Sequence, residues 1–211
     1  LDDEGDTQAY RRDSPLQVAV ERVESDLRRT AEDGDLVVTV LDADGEEVDY
    51  ADAGLEHDDA YLEGTGAMVL DHVGRVAYAA RSHRTNPMVL ERFCAQFGYD
   101  PMVFDACDES GEAVYHTNVM MAIGTGYALV ALELVRSPTR RGQVRDALAA
   151  TGREVLELTA EQVREFAGNA IELTTPTGRV LALSERAAAS LTPRQREVIE
   201  DSCRLLPLRV P

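Results

Sequence analysis

The sequence predicts an α/β propeller assembled from repeated β-β-α-β units, and three observations carry that prediction. The first is a fixed interval: Glu63, His116 and Asn169 lie 53 residues apart in succession, each close behind an aromatic or apolar residue and each opening an apolar run. Self-similarity at a fixed period marks a repeat architecture. The second is the order of local signals after each of the three positions: two β-type runs around a tight turn, a Pro-led amphipathic stretch, and a returning strand. The third is the regularity of that order, which suits radial repetition better than a ferredoxin-like sandwich or a doubly wound sheet. Equivalent positions converge in a closed ring, so a carboxylate, an imidazole and an amide are expected around one centre.

The elements follow in order. Residues 1–15 are acidic and irregular. Leu16, Val20, Val23 and Leu27 recur at helical spacing, residues 36–41 form a Val-rich strand, and residues 42–60 are an acidic loop turning at Asp44-Gly45. The segment 1–60 therefore reads as the helix and last strand of a partial module. Three full modules follow, at about 61–113, 114–166 and 167–211. The first has strands at 65–70, 75–80 and 101–104, with a turn at 71–74 and a helix running to Gly98. Asn86 caps that helix and Pro87 occupies its first turn, where its missing N–H costs nothing. The second module has strands at 119–123, 127–132 and 154–158 and a helix at 138–150. The third has strands at 170–173, 180–183 and 205–208 and a helix at 192–203, opened by Thr192-Pro193. One more step of 53 from Asn169 passes Pro211, so the propeller is expected to be incomplete in this chain.

Composition narrows the partners. The formal net charge is -18, and all 21 basic residues are Arg. Such a surface repels phosphate, which argues against a nucleic-acid partner. Crowded carboxylates with Arg in place of Lys also suit high salt, where screening removes their mutual repulsion. No apolar run reaches the length of a membrane helix, so no membrane partner is expected. No secretory signal opens the chain, and a cytoplasmic location is the expectation. The first residue is Leu, which fits a processed or missing N-terminus. Homo-oligomer assembly is left open.

The three cysteines are few and widely spaced, with no disulfide or zinc pattern. Cys94 falls on a stripe with Leu90, Phe93 and Phe97, and Cys203 follows Ile199 by one helical turn, so both read as core residues. Cys107 sits among Asp105 and Asp108, whose charges blunt a thiolate. None is expected to be a nucleophile. Gly64 and Gly66 lack the Lys-Ser/Thr of a phosphate loop. His57, His72 and His83 read as loop or turn residues, and Met120 and Met121 as strand core.

Four stretches resemble one superfamily. They are Leu62-Glu63-Gly64-Thr65-Gly66-Ala67-Met68-Val69-Leu70-Asp71, Ser82-His83-Arg84-Thr85, Tyr115-His116-Thr117-Asn118-Val119-Met120-Met121 and Phe166-Ala167-Gly168-Asn169. In order and spacing they are similar to the guanidine-modifying superfamily of arginine deiminases, dimethylarginine hydrolases and amidinotransferases, and most of all to arginine-deiminase-related citrulline-utilisation hydrolases. The resemblance spans residues 60–211. It implies a pentein-type α/β propeller and a hydrolase acting on a guanidino or ureido carbon–nitrogen bond of an arginine- or citrulline-like amino acid.

It also implies roles. His116 stands at the general acid/base, Glu63 at the acidic residue gripping the guanidinium, and Arg84 at the clamp on the substrate carboxylate. Asn118 and Asn169 stand in substrate-binding motifs. His116-Thr117-Asn118 replaces the usual His-x-Asp of arginine deiminases, and a neutral amide fits a ureido group better than a cation. The family nucleophile is a Cys in a Gly-rich stretch of the last module. That stretch is not in the chain, so the chain alone is expected to be inactive. In such chemistry a thiolate attacks the planar carbon and divides one hard step into two. No metal or cofactor is required. Amidino transfer to an amine is the rival within enzymes. A non-catalytic propeller, as in ribosome-binding initiation factors, is the rival outside them.

Overall fold

The computed structural model describes residues 61–209. The expected helix at 16–31, the strand at 36–41 and His57 lie outside the described residues. The remainder forms three three-stranded sheets with one shared topology, a hairpin followed by a parallel return strand. In the first unit the helical turn α1 (Gly64–Ala67) leads into β1 (Val69–Asp71), β2 (Val76–Ala80), helix α2 (Pro87–Phe97) and β3 (Asp100–Phe104). The second holds β4 (Met121–Ile123), β5 (Tyr127–Val130), α3 (Pro138–Ala150) and β6 (Glu154–Glu157), followed by the short α4 (Ala160–Arg164). The third holds β7 (Ile171–Thr175), β8 (Gly178–Ser184), α5 (Glu185–Ser190), α6 (Pro193–Glu200) and β9 (Arg204–Leu208). Each return strand is parallel to the middle strand, which demands a crossover, and a helix supplies it. β1 packs beside β4, and β4 beside β7, so the first strands of successive units are neighbours. These are the pentein-type β-β-α-β units the sequence predicts.

Burial follows the strand period. Along β2, Tyr78 and Ala80 enter a large cluster that also holds Phe104, Met120, Met121, Leu129 and Leu181. The alternate residues Ala77 and Ala79 meet Leu90 and Cys94 of α2 on the other face. Asn86 caps α2 by accepting a hydrogen bond from the Met88 N–H at 2.9 Å. Gly98 ends the helix at φ 68°, a left-handed position that favours glycine. Thr159 and Thr192 each form a capping box with the Gln three residues on. Those two glutamines, Gln162 and Gln195, then pair their buried amides at 2.8 Å.

The structure departs from the expected elements at several places. β4 begins at Met121 and β5 ends at Val130. Residues 65–67 are helical, because the Gly66 and Ala67 N–H groups both donate to the Glu63 carbonyl at 3.1 and 3.2 Å, and the strand begins only at Val69. The helix expected to reach Cys203 stops at Glu200, where Ser202 and Cys203 fold back to donate to the Ile199 carbonyl. The short helices α4 and α5 are absent from the sequence expectation, being too brief for periodicity to register.

The second and third units meet closely at Gly168. A Cβ there would lie 2.5 Å from the Val119 carbonyl oxygen and 2.7 Å from the Met120 carbonyl carbon. Backbone atoms cannot step aside, so Gly168→Ala is expected to destabilise the fold by about 1–3 kcal/mol, the usual range for overpacking. A thermal melt checks it; an unchanged midpoint would show that the units separate freely.

Candidate active site

Glu63 and His116 are brought together by a set of bonds crossing from the first unit to the second. Glu63 precedes α1, and its N–H donates to the Arg84 carbonyl at 3.2 Å, so the stretch bearing Arg84 and the stretch bearing Glu63 are held to each other. Ser82 Oγ donates to the Tyr115 carbonyl at 2.7 Å, immediately before His116. Thr117, fully buried, is bonded twice. Its hydroxyl donates to the Ala67 carbonyl at 2.5 Å and accepts from the Ala80 N–H at 2.8 Å. One side chain next to His116 therefore fixes both the end of α1 and the end of β2. Gly66 completes the arrangement by lying flat against the imidazole: a Cβ there would stand 2.9 Å from His116 Cε1 and Nδ1.

The result is a carboxylate with two nitrogen partners on one oxygen. His116 Nε2 donates to Glu63 Oε2 at 2.8 Å, and Arg84 Nη1 donates to the same oxygen at 3.1 Å. Glu63 Oε1 has no hydrogen-bond partner among the described residues. The His116 side chain is 19% exposed, against 41% for Glu63 and 43% for Arg84, so the imidazole is the sheltered member and the ion pair faces solvent. Arg84 Nε also donates to His83 Nε2 at 3.2 Å, and its guanidinium carbon lies 5.8 Å from the Tyr115 ring centroid. Partial burial pulls the Glu63 carboxyl upward, but hydrogen bonds from His116 and Arg84 outweigh it and leave the group below the usual carboxylate range.

The other two candidates lie apart from this hydrogen-bonded set. Asn118, in the 3-10 turn Thr117–Val119, has its Oδ1 buried with no partner. Asn169 is exposed, and its side chain makes no hydrogen bond among the described residues. Its backbone ends a turn in which its N–H donates to the Phe166 carbonyl at 3.0 Å. Cys94 and Cys203 are buried, and burial pushes both thiols up. Cys107 is half-buried in a bridge with Ala113. None of the three bonds to Glu63, Arg84 or His116. Among the described residues no group of three or more His, Cys, Asp or Glu could hold a metal ion, and no helix is long and apolar enough to cross a membrane. Sequence reasoning missed Ser82, Gly66 and Thr117 as parts of the site, although all three lie inside the stretches that carry the resemblance.

Comparison with known proteins gives the family and the fold. No curated protein matches the chain. Among solved structures, apo ArgZ, an arginine dihydrolase from the ornithine-ammonia cycle in cyanobacteria, is similar at 16% identity and a TM-score of 0.54, over 72% of this chain and 22% of its own. The substrate-bound N-terminal domain of ArgZ gives 16% identity and 0.54, over 72% of this chain and 51% of its own. Unliganded AgrE gives 15% identity and 0.55, over 72% and 21%. The chain thus spans between about a fifth and a half of the length of these proteins, and at such identities the likeness is one of fold. The family model described as N,N dimethylarginine dimethylhydrolase, eukaryotic, matches residues 15–211. With nearly the whole sequence covered and the pentein units in place, the chain belongs to the N,N dimethylarginine dimethylhydrolase family, within the guanidine-modifying superfamily.

Proposed function

We propose that this chain supplies the substrate grip and the general acid/base of a hydrolase that cleaves a guanidino or ureido carbon–nitrogen bond in an arginine-like amino acid. One observation carries the reading: Glu63 and His116, a full 53 residues apart, share a 2.8 Å contact at a partly open site. An acceptor-only carboxylate with one oxygen unused suits the paired N–H groups of a guanidinium. Against an ionised carboxylate, which can only accept, His116 Nε2 is the donor, on the side facing Glu63 and so facing any group Glu63 binds. In this scheme a cysteine thiolate adds to the guanidino carbon and His116 protonates the departing amine, breaking the carbon–nitrogen bond. Water then adds to the thioester-like carbon, His116 takes its proton, and the thiolate leaves. The thiolate comes from outside Cys94, Cys107 and Cys203, so the chain by itself binds without turning over. ArgZ, described as an arginine dihydrolase, and the family description both point to arginine derivatives.

Calorimetric titration of the chain with L-arginine, L-citrulline and dimethylarginine tests the grip. Glu63→Gln is expected to weaken the tightest ligand at least tenfold, about the value of one charge-assisted hydrogen bond. His116→Ala should spare binding and lower turnover by about 10²–10⁴-fold in the longer polypeptide or complex that provides the thiolate. Binding should fade on the acid side. The Glu63 carboxyl sits below its ordinary range, so the charged form persists as pH drops through that range and is lost only at the lower folded value. Affinity indifferent to Glu63→Gln would remove this reading, and turnover by the chain alone would relocate the nucleophile.

A further inference from the structure

We infer that Arg84, which the resemblance puts on the substrate carboxylate, first rests as a guanidinium on Glu63, and that an incoming substrate must displace it there. The inference rests on the site reading above and adds a competition to it. The Arg84 side chain already offers Glu63 the chemical group that the site is read to bind, at 3.1 Å. Its hold is single: Nη1 meets Oε2 while Oε1 stays unpaired among the described residues. A free guanidinium can approach in the bidentate, fork-to-fork manner, which is stronger and more directional than one bond. The resident pair is also 43% and 41% exposed, and exposed ion pairs contribute little. The substrate therefore wins the exchange, and Arg84 is released as an unpaired cation beside the site. A substrate with an α-carboxylate can pair with the released cation. A decarboxylated guanidine such as agmatine cannot, and it bears the displacement uncompensated.

The contrast with Thr117 supports the exchange. Thr117 is buried and bonded to two backbone groups, so the platform holding Glu63 and His116 stays fixed while Arg84 moves. Two surroundings favour its departure. Arg84 Nε bonds only to the exposed His83, and the Tyr115 ring at 5.8 Å offers the guanidinium a second resting place.

The test pairs two ligands against two variants, by calorimetry on the chain. Arg84→Gln should strengthen agmatine binding, by up to about fivefold given the worth of an exposed pair, and weaken L-arginine tenfold or more. The ratio of the two affinities thus swings in one direction. If Arg84→Gln weakens agmatine or leaves it unchanged while Glu63→Gln abolishes binding, the displacement is wrong and the site reading stands. If Glu63→Gln leaves both ligands bound as before, the site reading falls and this inference with it. Heteronuclear NMR of the Arg84 Nε–H gives an independent readout: agmatine should shift it in the native chain, and a signal unmoved at saturation overturns the exchange.

Discussion

Gly66→Ala is expected to leave the fold intact and to disable the site, lowering turnover about a hundredfold in the longer polypeptide or complex that provides the thiolate. The added Cβ would stand 2.9 Å from His116 Cε1 and Nδ1 and 3.0 Å from Nε2, closer than real carbon contacts allow. Something must yield, and the candidates differ in cost. The Gly66 backbone is held by its N–H to the Glu63 carbonyl, and Ala67 is anchored by Thr117. The imidazole is the far end of a side chain, held by one bond to Glu63. The ring therefore moves, and the 2.8 Å contact is lost. Stability changes little, because Gly66 lies in a helical turn where Ala is preferred by about 1 kcal/mol, offsetting the crowding. Function suffers much more, since a displacement of about 1 Å in a catalytic group costs on the order of 10²-fold. A melt within a few degrees of the native chain, together with a changed His116 ring signal by NMR and the activity loss, is the expected triple. Full activity with the ring in place would show that α1 gives way instead.

How much of this was readable beforehand depends on the range of the determinant. The unit was legible because each β-β-α-β segment writes its own period, and Asn86-Pro87 and Thr192-Pro193 mark helix starts by local chemistry alone. The meeting of Glu63 with His116 was legible from the interval. The same interval did not carry Asn169 into hydrogen-bond contact. A shared sequence position does not impose a shared backbone: Glu63 caps a helical turn, His116 is extended, and Asn169 closes a turn that follows Phe166 at φ 63°. The turn α1 reads as strand in the sequence because Thr65 favours strand and the run continues into the true strand residue Val69. Thr85 and Thr117 override that preference by bonding the Ala67 carbonyl from 18 and 50 residues away. Thr117 itself had no signal, since its role exists only through those distant partners. The docking of Arg84 on Glu63 was equally hidden; resemblance implied a cation for a carboxylate on the substrate, not on the protein.

The largest stability effect is expected at a pair the sequence could not reveal, Asp71 and Arg153. Arg153 Nη1 donates to Asp71 Oδ2 at 2.9 Å, with the two side chains 6% and 0% exposed. Asp71 Oδ1 is committed as well, accepting from the N–H groups of Val73 and Gly74 at 3.0 and 2.9 Å, and Arg153 Nε donates to the Gly124 carbonyl at 2.7 Å. Arg153→Met would leave a buried carboxylate without its cation, which costs about 3–5 kcal/mol. In a domain of this size that lowers the melting midpoint by roughly 10 °C. The surface pairs Arg145–Glu157 and Arg194–Glu154, about half exposed, should each matter by less than about 1 kcal/mol and fade in salt. The double variant Asp71→Asn with Arg153→Met should recover part of the loss, because the penalty is the stranded charge and Asn retains the oxygen that closes the turn. Additive losses would mean the two residues act separately. Asp71 ends β1 and Arg153 precedes β6, so the pair ties the unit bearing Glu63 to the unit bearing His116. Arg153→Met should therefore weaken ligand binding even at temperatures where the chain stays folded, which a loss confined to either unit alone would not do.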